Sequence, residues 1–215
     1  MLKQEKGIEK SKLILAEGID ALHFLINLLN KLNIDDFQVF DYGGISELTE
    51  YIKNQFLKAN AEKFKEVTTL LILRDSETSS VSAAQSVNSS LKATELINKD
   101  LQPFCIENQN GRNIGFMLFP GYDENNNLCE NGTLENLCLK ILKDQNLRKQ
   151  IEEYINDFKN KTNIEFKREH KNLLHSYLSF TDEFVGMKLA EALKADGYDL
   201  SSQYLKPFID IIKSI

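Results

Sequence analysis

The stretch Val67-Thr68-Thr69-Leu70-Leu71-Ile72-Leu73-Arg74-Asp75-Ser76-Glu77 decides the fold. Its first seven residues are all apolar or β-branched, the pattern of a strand buried on both faces. The run stops at Arg74-Asp75-Ser76-Glu77, a Ser/Thr cluster follows, and Val81 to Ile97 reads as a helix. Upstream, Lys12 to Ala16 is a second buried strand that ends at Glu17-Gly18, and Asp20 can cap a helix running through Leu32. Phe37-Gln38-Val39-Phe40 is a third strand, stopped by Asp41-Tyr42-Gly43-Gly44. Ile45, Leu48, Ile52 and Phe56 then recur every three or four residues and predict a helix right after the glycines. Downstream, Ile114 to Phe119 is a fourth strand closed by Pro120-Gly121. An Asn-rich loop over 121–132 leads to Thr133, which is placed to cap a helix from Leu134 to Leu142.

Apolar strands alternating with helices imply an α/β fold with a mainly parallel sheet in a Rossmann-like three-layer arrangement. From about Asp144 onward the strand pattern stops, and helices are expected over 145–160, 166–178, 183–195 and 201–214. The expected organisation is an α/β core over 1–144 and a helical C-terminal extension over 145–215, packed on it. No Gly/Ser- or Pro-rich linker requires two independent domains.

Composition narrows the function. The 215 residues carry 26 Lys+Arg against 32 Asp+Glu, a formal charge of −6, and 42% are hydrophobic. That apolar fraction belongs to a folded protein and not to a disordered one. A net negative charge argues against gripping nucleic acid by bulk positive charge alone. It leaves open contact with phosphate through metal ions. Cys105, Cys129 and Cys138 are an odd, scattered set with no C-x-x-C pair. Unreactive thiols in a reducing cytoplasm are therefore expected, without disulfide or zinc. Neither a secretory signal nor a membrane span is expected, because Met1 to Lys6 is charged and the apolar stretch Ala21 to Leu32 is short and interrupted.

The placement of the acids carries more information than their number. Ligands of open α/β sheets bind beyond the carboxyl ends of the strands. Glu17, Asp41 and the pair Asp75/Glu77 stand at three of those ends, and Glu135 opens the helix after the fourth. In an extended segment Asp75 and Glu77 point the same way. Converging carboxylates suit Mg²⁺ or Mn²⁺, which relieve their repulsion. Acids after strands also cap helices, so spacing alone leaves both readings open. Gly43-Gly44 before a helix could bring backbone N–H groups to a phosphate, or simply make a tight turn. Asp123, Asn125 and Asn127 mimic the start of a calcium loop, but Leu128 and Leu134 stand where that loop needs Gly and Glu. His170 and His175 are five apart and do not form an i,i+4 metal pair. No Walker A, G-x-G-x-x-G, H-E-x-x-H or G-x-S-x-G motif occurs.

Taken in order, Leu15-Ala16-Glu17-Gly18-Ile19-Asp20, Gly43-Gly44 and Leu73-Arg74-Asp75-Ser76-Glu77 resemble the TOPRIM domain of primases, topoisomerases and overcoming-lysogenization-defect (OLD) nucleases. The chain is still more similar to a TOPRIM-related family of uncharacterised prokaryotic proteins. The added motifs are Gly132-Thr133-Leu134-Glu135-Asn136-Leu137-Cys138 and Lys171-Asn172-Leu173-Leu174-His175-Ser176-Tyr177-Leu178, so the likeness runs from about Leu13 to Phe208. The resemblance implies that Glu17 is a metal ligand or general acid/base and that Asp75 is the first acid of a D-x-D motif. Glu77 stands in place of the second Asp, with an arm one methylene longer. Glu135 is the implied ligand of a further ion, Asp20 a support behind the ligands, and Lys171 a cation for the transition-state phosphate.

The leading expectation is therefore a Mg²⁺- or Mn²⁺-dependent nuclease or phosphodiester-processing protein with nucleic acid as partner. Any ATPase working with it would be a separate subunit, because this chain has no P-loop. One rival is a non-catalytic TOPRIM-like module that binds a partner or a nucleotide. Another is a small α/β phosphatase or receiver, for which strand-end acids are also suited but the usual strand-end Lys and Thr are missing.

Overall fold

A computed structural model describes residues 7–215. Five strands form one sheet: β1 (Lys12–Ala16), β2 (Phe37–Asp41), β3 (Thr69–Asp75), β4 (Ile106–Gln109) and β5 (Arg112–Phe119), in the order β2-β1-β3-β5-β4. All pairs are parallel except β4 with β5. The expected α/β architecture is thus the observed one, with one strand added. β4 escapes a sequence reading because Ile-Glu-Asn-Gln is short and polar and lies half exposed on the sheet edge, where burial imposes no apolar pattern.

The register brings Ala16 beside Asp41 on one side and Leu73 on the other, and Asp75 beside Phe119. The carboxyl ends of the four parallel strands therefore share one edge. Alternate residues feed two cores. On one face Ile14, Ala16, Leu71, Leu73, Met117 and Phe119 pack with α1 (Ile19–Lys31), α5 (Leu134–Lys140) and the C-terminal helices α6 (Gln145–Thr162), α7 (Glu169–Phe180), α8 (Leu189–Lys194) and α9 (Lys206–Lys213). On the other face Leu13, Leu15, Leu70, Ile72, Ile114 and Phe116 meet α4 (Ser80–Ala93) and the segment after β2. The result is a three-layer core with helices on both faces.

The structure departs from sequence expectation at several element ends. The helix after Gly44 begins as a 3-10 turn (Ile45–Glu47), runs through a four-residue α2 (Leu48–Tyr51) and widens into a π-helix (Ile52–Ala59) before α3 (Ala61–Lys65). Leu48, Ile52 and Phe56 are still all fully buried, so the apolar spacing holds while the winding changes. Gly18, with φ +84°, is the N-cap of α1, and Asp20 falls in its first turn. Asp20 therefore does not cap that helix through its side chain. α4 ends at Ala93, short of Ile97, and the tail helices α7, α8 and α9 start later than their apolar periodicity suggests.

Candidate functional site

Glu17 leaves β1 directly and is nearly buried. Its Oε2 accepts the backbone N–H of Asp75 at 3.2 Å, so the ends of β1 and β3 are joined through this carboxylate. Arg74 lies under it, buried at the end of β3, with Nε 3.5 Å from the same oxygen and an Nη donating to the Ala83 carbonyl of α4 at 3.1 Å. Tyr42, fully buried after β2, stands near the same acids. Burial first, then the negative charge of Glu17, pushes its phenol far above the ordinary value.

Asp75 ends β3, and its Oδ1 accepts the N–H of Leu134 at 2.9 Å, the first residue of α5. That bond sets the start of α5 against the strand end. Burial, added to the charges of Glu135, Glu17 and Glu77, pushes the Asp75 carboxyl up to about 7, against the pull of the Leu134 N–H. Three acids thus act on a fourth across a small volume.

Glu135 follows on α5. It is buried, accepts the Thr133 hydroxyl at 2.7 Å and pairs with Lys171 of α7 at 2.8 Å. Burial raises its carboxyl, but Lys171 and Thr133 outweigh that and hold it below the usual range. Thr133 opens α5 as the sequence suggests, and its N–H donates to Asn136 Oδ1 at 2.9 Å.

Glu77 corrects the expectation of an extended Asp75-Ser76-Glu77 segment. The strand stops at Asp75, and Glu77 is in the left-handed region with φ +50°. Its N–H and carbonyl both bond to Gly132, at 2.9 and 2.8 Å. The backbone reversal takes its exposed side chain away from the direction a strand would give it. Asp20 is exposed on the first turn of α1. Asp41 accepts the N–H groups of Gly18 at 3.1 Å and Gly43 at 2.8 Å. It thereby organises two turns at the sheet edge, and one of the two glycine N–H groups considered for phosphate is already engaged.

The structure therefore brings Glu17, Asp75 and Glu135 to one edge, with Lys171 beside Glu135, while Glu77 sits exposed on a left-handed turn near Asp75, and Asp20, Gly43 and Gly44 stand around them. In this arrangement, no three acid, imidazole or thiol groups among the described residues are gathered closely enough to hold an ion. Arg74, Tyr42 and Thr133 belong to the site although sequence reading gave none of them a role in it. Only the step from an apolar strand to Arg74 hinted at a buried cation. All three cysteines are free, and burial raises the thiol of Cys138 far above its usual range.

Residues 11–215 match the family described as "Protein of unknown function (DUF3226)", and the chain belongs to that family. Its fold is similar to that of a hypothetical protein from Pyrococcus horikoshii OT3, with TM-score 0.56 and 13% identity over 96% of this chain and 95% of the other. Two further similar structures are the C-terminal regions of OLD proteins. That of Burkholderia pseudomallei has TM-score 0.48 and 13% identity, covering 96% of this chain and 98% of the other. That of Xanthomonas campestris pv. campestris has TM-score 0.47 and 15% identity, covering 95% of each. No curated protein matches the chain. Among the described residues no helix is long and apolar enough to cross a membrane.

Proposed function

We propose that this chain is a TOPRIM-like, Mg²⁺- or Mn²⁺-dependent nuclease acting at the carboxyl edge of its parallel sheet. The observation that carries the reading is Asp75: a half-buried strand-end carboxyl raised to about 7 by its partial burial and by three neighbouring acids. Carboxylates crowded in this way repel one another, and a perturbed acid in such a place is a candidate for a functional site. The donor set is all carboxylate oxygen, the chemistry that hard divalent cations take. By donor chemistry the residues suit the ion, and Glu17, Asp75 and Glu135 would have to draw closer together to hold it.

Glu17, Asp75, Glu135 and, by swinging its longer arm, Glu77 would hold the ion. When bound, it supplies positive charge for the phosphodiester oxygens and acidity for the attacking water. The chain's own residues do the rest. Glu17 takes the water's proton, and Arg74 behind it holds the carboxylate in place. Lys171, about one-third exposed, can exchange its bond to Glu135 for one to the phosphate. Asp20 supports the edge from α1, and the Gly44 turn lies on the same side for further backbone contact. Any ATPase that works with this chain is a separate partner.

The test is cleavage of plasmid and single-stranded DNA or RNA with Mn²⁺, comparing wild type with Glu17→Ala and Asp75→Ala. Loss of cleavage in both variants is expected. Equal cleavage by all three proteins would sink the mechanism.

A second reading, a non-catalytic module that binds a partner beside an ATPase, is favoured by one observation. Arg74 and Lys171 already serve as counter-cations to Glu17 and Glu135, as in a site that has replaced its ions with fixed charge. Calorimetric titration with Mg²⁺ and Mn²⁺ separates the two: no binding at millimolar concentration selects the module.

A further inference from the structure

We infer that Tyr42 is a positioning residue for Glu17: its buried hydroxyl donates to the Glu17 carboxylate from the β2 side, opposite Arg74 on the β3 side. The register of the sheet sets the three residues in one row. Ala16 lies between Asp41 and Leu73. One residue further, the N–H of Tyr42 donates to the Ala16 carbonyl at 3.1 Å and the N–H of Glu17 to the Leu73 carbonyl at 3.0 Å. Glu17 is thus flanked by Tyr42 and Arg74, on neighbouring chain segments about 4.8 Å to either side.

Alternation along a strand sends the row to one face. Leu15, Phe40 and Ile72 stand two residues before Glu17, Tyr42 and Arg74, and all three belong to the core beneath α4, where Tyr42 also packs. Asp41 and Asp75 are offset by one residue and alternate to the other face, where their partners in register, Ala16 and Phe119, are buried. Glu17 is therefore the carboxylate on the phenol's own side of the sheet.

Two buried donors in this row have no hydrogen-bond partner among the described residues: Oη of Tyr42 and Nε of Arg74. Tyr42 is only 1% exposed, so bulk water does not serve its hydroxyl. Buried polar groups left unpaired are costly and rare, and each calls for a partner. Nε of Arg74 stands 3.5 Å from Glu17 Oε2, just beyond the roughly 2.7–3.2 Å of an N–H···O bond. The same oxygen is held by the Asp75 N–H through a long bond of 3.2 Å. A small turn of the carboxylate between the phenol and the guanidinium supplies both with an acceptor. Burial and the negative charge of Glu17 keep the phenol protonated, so it remains a donor across the pH range in which a carboxylate base works.

The role rests on the nuclease reading. A carboxylate gripped from both sides presents its remaining lone pairs in one direction, toward the sheet edge where water gives up its proton. Arg74 brings a charge to that grip, and Tyr42 fixes the angle without one.

The test joins a spectroscopic readout to kinetics. In EDTA the Tyr42 hydroxyl proton, buried and slow to exchange, is followed by NMR in protein with carbon-13-labelled tyrosine rings, and is assigned by its loss in Tyr42→Phe. A downfield signal is expected in wild type and should move or vanish in Glu17→Ala. With Mn²⁺ and a nucleic acid that wild type cleaves, Tyr42→Phe should lower kcat about tenfold and leave KM unchanged, as one hydrogen bond to a charged group is lost. A hydroxyl signal that is missing from wild type, or unchanged in Glu17→Ala, overturns the assignment. If Glu17-dependent cleavage stands beside that result, the nuclease survives without this donor. A Glu17-dependent signal with wild-type kcat in Tyr42→Phe also overturns it, since the contact then positions nothing that the reaction uses. A Glu17-dependent signal in a protein that cleaves nothing with either metal keeps the Tyr42–Glu17 bond and removes the nuclease.

Discussion

Nζ of Lys171 lies 2.8 Å from Oε1 of Glu135, so a partly exposed cation on α7 neutralises a buried carboxylate on α5. This pair is the charged tie between the C-terminal helices and the carboxylate edge of the sheet. Removing one member of a buried pair leaves the other uncompensated, at about 3–5 kcal/mol in full burial. Lys171 is one-third exposed, so solvent screening reduces the loss. Lys171→Met should therefore lower unfolding free energy by about 1–2 kcal/mol, and Glu135→Gln in the same chain should restore most of it. Urea denaturation of the two single variants and the double variant measures the coupling.

The same pair sets a pH dependence. Lys171 and Thr133 hold Glu135 below its ordinary 4.5, despite the opposing effect of burial. A carboxyl depressed in the folded state contributes stability above its unfolded value, and that contribution is lost as pH falls through the folded one. Stability should therefore fall below about pH 4.5 more steeply in wild type than in Glu135→Gln. Denaturation midpoints between pH 3 and 6 report the difference, and parallel curves would refute it.

Asp75 carries the opposite sign. Its charged form is disfavoured by burial and by Glu135, Glu17 and Glu77, so Asp75→Asn relieves repulsion in the metal-free protein. Its melting temperature in EDTA at pH 8 should equal or exceed that of wild type. The gain in melting temperature that millimolar Mn²⁺ gives wild type should shrink or vanish in the variant, because binding to the native state stabilises by mass action. A full Mn²⁺ response in Asp75→Asn would remove Asp75 from the ligand set.

Arg74 shows where sequence reading ends. The strand before it was legible, because Val67 to Leu73 is apolar or β-branched whichever way it faces, and so were the four parallel strands and their common edge. The acids Glu17 and Asp75 were legible because strand ends place them, and Glu135 because it opens the helix that follows the last strand. What Arg74 does was not, because its partner Glu17 is 57 positions away and the pairing depends on β1 lying beside β3. The turn of Glu77 was hidden too, since it comes from bonds to Gly132 across a loop, and β4 was hidden because an edge strand need not be apolar. Arg74→Met should cost about 2–3 kcal/mol, as Glu17 loses its buried cation and the Ala83 carbonyl its donor. Arg74→Lys should recover only part of this, since an ammonium cannot bridge both acceptors with the geometry of a guanidinium. Chemical denaturation of both variants checks the order.

Gly132 closes the loop that positions both Glu77 and α5. Its φ is +124°, and a Cβ added there would lie 2.8 Å from Cδ and 2.9 Å from Cγ of Pro120. An L side chain rarely adopts that backbone conformation, and the ring it meets is fixed in the chain that leaves β5, so neither side can yield easily. Gly132→Ala should therefore destabilise by about 2 kcal/mol or more, combining backbone strain with overpacking. The loss should be local as well as global. The paired bonds between Glu77 and Gly132 hold the turn after β3 against the start of α5, and Asp75 bonds to that same start through Leu134. Hydrogen exchange should consequently speed up at the Glu77, Gly132 and Leu134 amides before it does at Leu71 or Ile72 in the centre of β3. Uniform acceleration across the sheet would show instead that this loop has no separate hold on the site.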